Sequence, residues 1–166
     1  VPHAIFQGYF GMPEETLKRF RDLWYHTGDL VRIDEDGDLF FVDRKDDYVR
    51  VRGENVSSFE IEDAVASHPA VAEAAAHSVR AGEAAAVAED EVKVCVILKP
   101  GMEVDPAEIV RFAAERLPHF AVPRFVEVMD DLPRTPTGRV QKHLLRARGC
   151  TPQTWDRVAA NVEIER

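Results

Sequence analysis

Hydrophobic and polar residues change period several times along this chain, and each change marks an element. The opening "GYFGMPEETLKRFRDLWYHTGD" predicts a helix over Glu14 to Arg21 that gives way to a Gly-Asp turn, with no obvious core of its own. In "LVRIDEDGDLFFV" two apolar runs flank "DEDGD", a hairpin signal because Asp-Gly pairs tolerate positive φ. Val49 and Val51, with Tyr48, alternate with Arg50 and Arg52 and predict a further short strand that closes on Gly53. The intervening "DRKDD" is fully charged and reads as exposed, and Arg44 to Asp47 is the natural place for a domain boundary.

After Gly53 the period lengthens. Ser57 with Glu60 three residues later forms a capping-box pattern, and Ile61, Ala64 and Val65 then fall on one helical face. "HPAVAEAAAHSV" reads as a turn and an apolar strand, although its alanines suit a helix equally well, and "AGEAAAVAED" reads as a connection. "EVKVCVIL" is dominated by β-branched residues and predicts a strand. "KPGMEVDP" is a turn cluster. Asp105, Pro106 and Glu108 then open a second helix whose stripe is Ile109, Phe112, Ala113 and Leu117, ahead of Pro118. "RFVEVM" predicts a third strand, a loop and short helix follow, and "TPQTW" predicts one more helical start with Thr151 as cap. The order from Ser57 to Arg148 is that of a small α/β layer, and no internal repeat is present.

Composition narrows the class. With 166 residues and 45% hydrophobic content, the chain can bury roughly two-thirds of its unfolded surface. No apolar run approaches the ~20 residues needed to cross a bilayer, so the expectation is a soluble, cytosolic protein. Cys95 and Cys150 lie far apart in dissimilar settings and read as free thiols. The six histidines are scattered, without metal-site spacing. A net charge of -9 argues against general nucleic-acid binding. The charge is uneven, however. Asp29, Asp34, Glu35, Asp36, Asp38 and Asp43 face only Arg32 in one stretch, whereas Arg134, Arg139, Lys142, Arg146 and Arg148 form a run that contains no acid.

Three stretches, "WYHTGDLVRIDEDGDLFFVDRKDD", "VRGENVSSFEIEDAV" and "LPRTPTGRVQK", occur in this order across most of the chain. Together they resemble the last three core motifs of the AMP-forming acyl-CoA synthetases, within the superfamily of adenylating enzymes. The resemblance implies an α/β (α+β) fold: a small C-terminal lid with a short β-hairpin and a three-stranded sheet packed by helices, preceded by the tail end of a large N-terminal domain. On that reading residues 1–43 end the large AMP-binding domain and residues 44–166 form the mobile lid. Neither the phosphate loop nor the acyl pocket of the large domain is in the sequence, and the chain opens at Val1 in mid-motif. The expectation is therefore a piece of a longer enzyme, inactive in isolation.

The implied chemistry has two steps. A carboxylate attacks the α-phosphorus of ATP and pyrophosphate leaves; the thiol of CoA then attacks the acyl carbon and AMP leaves. Anions meet in the first step, so cations and Mg²⁺ must neutralise them. By resemblance, Asp29 of "TGD" holds the ribose hydroxyls and Arg44 also contacts the ribose. Asp46 is the hinge, Arg50 and Asn55 approach the adenylate phosphate, and Arg52 and Gly53 face the CoA side. Thr135, Pro136 and Gly138 predict a tight turn that projects the next side chain outward; the family carries a lysine directly after that glycine, whereas here the residue is Arg139. An always-ionised guanidinium can present the same charge, its bulk can slow the step, or Lys142 three residues later can supply the cation; the sequence leaves these three open. The implied partners are ATP, a carboxylic acid, CoA and the missing domain. Two rival readings also stay open: an adenylation domain that loads a carrier-protein thiol, and a non-catalytic nucleotide- or protein-binding module.

Overall fold

The computed structural model describes residues 6–45, 47–51, 53–80 and 90–164. It divides into two units, Val1–Asp46 and Asp47–Arg166. Asp46 and Arg52, and most of "AGEAAAVAED", lie outside the described residues.

In the first unit, helix α1 (Pro13–Arg19) starts on a proline, carries Glu14 and Glu15 in its first turn and Lys18 and Arg19 in its last, an arrangement that suits the helix dipole. It stops short of the predicted Arg21 because Phe20 turns extended and begins β1 (Phe20–Arg21), which pairs with β2 (Trp24–Tyr25). The two-residue turn between them puts Asp22 and Leu23 at φ 54° and 67°, the twist that tight hairpins favour and that leucine adopts reluctantly. β3 (Asp29–Ile33) and β4 (Leu39–Arg44) form the predicted antiparallel hairpin. Asp34 Oδ1 accepts from the Asp36 and Asp38 amides at 3.1 and 2.9 Å, which closes the turn. Leu30, Val31, Ile33, Leu39, Phe40 and Phe41 on these two strands are all exposed.

The second unit holds the core. β5 (Val49–Val51) and β6 (Glu54–Val56) make a hairpin turned at Gly53, whose φ is 87°. Helix α2 (Ser58–Ala66) follows with Ser57 at its N-cap, although the serine hydroxyl does not cap the first turn as the sequence pattern suggests. Strands β7 (Val71–Arg80) and β8 (Asp90–Leu98) pair over nearly their whole length. The alanine-rich segment is thus a strand: pairing with the valines of β8 overrides alanine's helix preference. Helix α3 (Pro106–Ala114), capped by Asp105 onto Ala107 N–H, then crosses over to β9 (Phe125–Val128), which runs parallel to β8. Helix α4 (Lys142–Arg148) precedes β10 (Trp155–Asp156).

The fold class is the expected one, and the sheet has four strands in the order β10-β9-β8-β7. The fourth replaces the helix predicted at "TPQTW". The Thr154 hydroxyl is recruited by buried Glu127 at 2.7 Å, and Asp156 receives Arg124 through two 3.1 Å bonds, so pairing with β9 wins over the local Thr-Pro cap signal. Alternation along β8 sends Val92, Val94 and Val96 into the main core with Ile61, Val65, Ile109, Val110 and Val126. Cys95 faces the other way and packs with Ala75, Leu132 and Leu145 of α4.

Candidate functional site

The third motif folds into a braced hairpin tip. Arg134 bridges Val140 across it; Thr135 N–H donates to Arg139 O at 2.8 Å and Gly138 N–H to Thr135 O at 2.9 Å. Pro136 thus takes the second position of a four-residue turn and Gly138 the fourth, an arrangement these residues favour. Gly138 has φ 85° and a Cβ there would meet nothing within 4 Å, so glycine is required by the backbone and not by crowding. The Thr135 hydroxyl completes the lock by accepting from Arg139 N–H at 3.1 Å.

The distribution of charge around this tip is decisive. Arg134 pairs with Glu73 and donates to Gly138 O at 3.2 Å. Lys142 lies 2.7 Å from Glu62 Oε1 and donates to Ser58 Oγ at 2.7 Å. Arg146 pairs with Asp47, and Arg148 meets Glu127 at 2.8 Å. The acid-free run is therefore largely neutralised, by acids from other elements. Arg139 alone of the five cations is exposed with no side-chain partner among the described residues. The structure also places Lys142 away from the tip: it is half-buried at the start of α4 and held onto α2.

Arg50 and Asn55 are directly opposite each other on β5 and β6, both exposed, and Gly53 sits exposed at the turn between those strands. The hairpin's valines, Val49, Val51 and Val56, anchor it in the core.

In the first unit Asp29 and Arg44 are ladder partners at the open end of the β3–β4 hairpin. Their side chains are ion-paired, with Arg44 Nε 2.8 Å from Asp29 Oδ1. That N–H is not aimed at the oxygen, and Asp29 Oδ1 accepts no hydrogen bond. That oxygen is itself closed to solvent, while 29% of the side chain as a whole stays open. Gly28 (φ 80°) makes the turn; a Cβ there would stand 3.0 Å from Arg19 Nη1, and that guanidinium donates to Thr27 O at 3.3 Å. A cleft of about 610 Å³ opens beside Asp29, with Lys18, Arg19, Arg21 and Lys45 among its walls. Its cations outnumber its acids, Glu15 and Asp29, which favours an anionic occupant.

Beneath the sheet lies a second polar group. Lys93 and Glu127, each only 1% exposed, are 2.6 Å apart, and Lys93 also donates to Gly149 O. Burial works to raise the Glu127 pKa, but the bonds from Lys93 and Thr154 outweigh it and hold the carboxyl below its ordinary range. His77, 3.8 Å from Cys95, is driven by burial to about 4, and Cys95 by the same cause to about 11. Both are neutral at pH 7 and shut away from solvent, a structural pair rather than a nucleophile and base. Among the described residues no three His, Cys, Asp or Glu side chains cluster to hold a metal ion.

The sequence profile of the AMP-binding enzyme C-terminal domain matches residues 60–139, from α2 to the arginine at the tip. The chain carries the C-terminal domain of the adenylate-forming, AMP-binding enzymes. It matches their C-terminal portion: it is 35% identical over 144 residues to a crotonobetaine/carnitine--CoA ligase of Salmonella heidelberg, covering 86% of this chain and 27% of that ligase. It is 38% identical over 143 residues to the fatty acid--[acyl-carrier-protein] ligase ScoC of Streptomyces coeruleorubidus, covering 84% and 26%. Among solved structures, ATP-bound MatB from Rhodopseudomonas palustris superposes with a TM-score of 0.74 at 36% identity, over 87% of this chain and 28% of that one. The chain thus spans about a quarter of the length of the adenylate-forming relatives it matches.

Residues with supporting roles at the tip escaped the sequence. Arg134 braces it through Glu73, a partner that arrives only on folding, and the bond from Arg139 N–H to the Thr135 hydroxyl is one that no spacing rule isolates. A tell-tale sign is present in retrospect: an arginine just before "TPTG" is well placed to bind the turn's own carbonyl, as Arg134 does with Gly138.

Proposed function

We propose that this chain is the mobile lid, residues 44–166, and the end of the large domain, residues 1–43, of a longer ATP-dependent acid–thiol ligase. In the first half-reaction a carboxylate oxygen attacks the α-phosphorus, the bond to pyrophosphate breaks, and acyl-AMP forms. In the second, a CoA sulfur attacks the acyl carbon, the bond to the phosphate oxygen breaks, the thiol proton is released, and acyl-CoA and AMP form. The observation that carries the reading is Arg139, unpaired among the described residues and held out on a turn while Arg134, Lys142, Arg146 and Arg148 are all occupied. A preorganised, unspent charge costs no reorganisation when it meets an anion, which makes it effective at a phosphate where negative charge gathers.

The remaining roles rest on position and, for Arg52 and Asp46, on the sequence motifs alone. Asp29, whose side chain is partly open, accepts from the ribose hydroxyls, worth on the order of 1.5–3 kcal/mol for a charge-assisted bond, and Arg44 steadies it. Arg50 and Asn55 present a donor pair on one hairpin face toward the adenylate phosphate, while Gly53 and Arg52 meet CoA. Asp46 serves as the hinge. Lys142, bound to Ser58 and Glu62, stabilises the lid and does not substitute for Arg139. Mg²⁺ enters with ATP; the described residues offer it no cage of acidic or imidazole groups, so no step here is assigned to it. Exposure of the β3–β4 apolar residues supports the missing large domain as their cover.

A carrier-protein thiol is a second acceptor, favoured by the identity to a ligase named for an acyl carrier protein; CoA and the carrier present the same phosphopantetheine arm. The test is to assay the full-length enzyme with a panel of carboxylates, following pyrophosphate release and thioester formation separately with CoA and with holo-carrier protein. Pyrophosphate release that depends on one carboxylate class supports the reading. Turnover by this chain alone, or no pyrophosphate release from the full-length enzyme with any acid, contradicts it.

A further inference from the structure

One ion pair stands at the start of the second unit. Asp47, its first residue, pairs with Arg146 of α4, and both side chains are half-buried. The first ladder pair of the unit is Val49 with Val56. The ion pair therefore anchors the chain two residues earlier, directly against the boundary.

The helix that provides the anchor is the one leading out of the tip. α4 begins two residues after Val140, which closes the hairpin carrying Arg139, and Gln141 N–H donates back to Pro133 O at 2.7 Å. Lys142 and Arg146 are four residues apart and so lie on one face of α4. Lys142 binds α2 through Ser58 and Glu62, and the same Glu62 oxygen accepts from Ala76 N–H of β7 at 2.7 Å. Leu145, 2% exposed, fixes the helix to the sheet. An uninterrupted set of contacts thus runs from Asp47 through α4 to the base of the tip.

We propose that Arg146 is a positioning residue: by clamping Asp47 to α4 it makes the second unit rigid up to the boundary, so that rotation there carries the Arg139 tip to a fixed place. This rests on the ligase reading above. A loose residue next to a pivot lets the far tip wander, and a displacement of about 1 Å at a reacting centre can cost ~10²-fold in rate. Arg146 touches no substrate in this scheme; its effect passes through the placement of Arg139.

The experiment uses the full-length enzyme with Arg146→Ala, Asp47→Ala, Arg146→Lys and the swap Asp47→Arg/Arg146→Asp. In the first half-reaction, kcat falls on the order of 10-fold in both alanine variants with KM for ATP unchanged; Arg146→Lys and the swap recover most of it, and Tm moves by no more than a few degrees. Hydrogen exchange in the same variants shows faster exchange at Tyr48 and Val49 with β7 and β8 unchanged. Wild-type kcat and unchanged exchange in Arg146→Ala overturn the proposal, as does a loss that tracks a collapse in Tm and is not recovered by the swap. If the wild type releases no pyrophosphate, the ligase reading fails, and the hydrogen-exchange arm still decides whether Arg146 clamps the boundary.

Discussion

The two units of this chain use their apolar residues in opposite ways. Every described apolar residue that is fully buried lies in Asp47–Arg166, where two helices and a hairpin cover one face of a four-stranded sheet. In the described part of Val1–Asp46 the buried residue is Asp43, while Phe10, Leu23, Trp24, Ile33 and Phe41 stand in solvent. Its order rests on small devices: the rings of Phe6, Tyr9, Phe20 and Tyr25 meet at centroid distances of 5.0–5.8 Å, and the Tyr9 and Tyr25 hydroxyls share a 3.0 Å bond. Burial dominates folding. A segment that does not bury its apolar surface borrows stability from elsewhere, and of the two units it is the second that holds a core of its own.

Excision breaks this comparison most severely. Residues 47–166 made alone should unfold in one cooperative transition, and residues 1–46 made alone should give the circular dichroism of an unfolded chain; two folded pieces would refute the contrast. Next in size, Lys93→Ala leaves Glu127 buried without its main partner and should cost about 3–5 kcal/mol in denaturant unfolding. A Lys93→Met/Glu127→Leu pair should recover most of that loss.

Acid provides the third test. His77 is neutral in the folded state down to about pH 4, whereas in the unfolded chain it takes up a proton below pH ~6.5. The unfolded state therefore binds more protons between those values, and stability falls as pH drops through the window, by about 3 kcal/mol in all. His77→Gln should flatten this part of the profile, leaving the loss at lower pH where the depressed carboxyls of Glu127 and Asp156 protonate. The smallest effect belongs to the first unit. Leu23→Gly relieves a leucine at φ 67° and should stabilise the β1–β2 turn by about 1 kcal/mol, seen as slower amide exchange in the full-length protein.

Sequence reading succeeded where local signals and burial agree. "EVKVCVIL" is β-branched and buried in the sheet, Asp105-Pro106 caps and starts α3, and "DEDGD" turns a hairpin. It misread "TPQTW" because the deciding partners, Glu127 and Arg124, lie 27 and 32 residues away. The same limit governs the candidate site. The tip was legible from Thr135, Pro136 and Gly138, which act through their own backbone. The charge balance around it was not, since Glu62, Glu73, Asp47 and Glu127 arrive only on folding and, among the described residues, reduce a five-cation run to one unspent arginine.

That arginine is where the account is most exposed. ATP–pyrophosphate exchange by the full-length enzyme, compared for wild type, Arg139→Lys, Arg139→Ala and Asp29→Ala, tests it directly. The prediction is a loss of ~10²–10³ in Arg139→Ala, exchange retained in Arg139→Lys, and thioester formation from supplied acyl-adenylate kept within a few-fold by Arg139→Ala. Unchanged exchange in Arg139→Ala alongside its abolition in Asp29→Ala would contradict the role given to the tip.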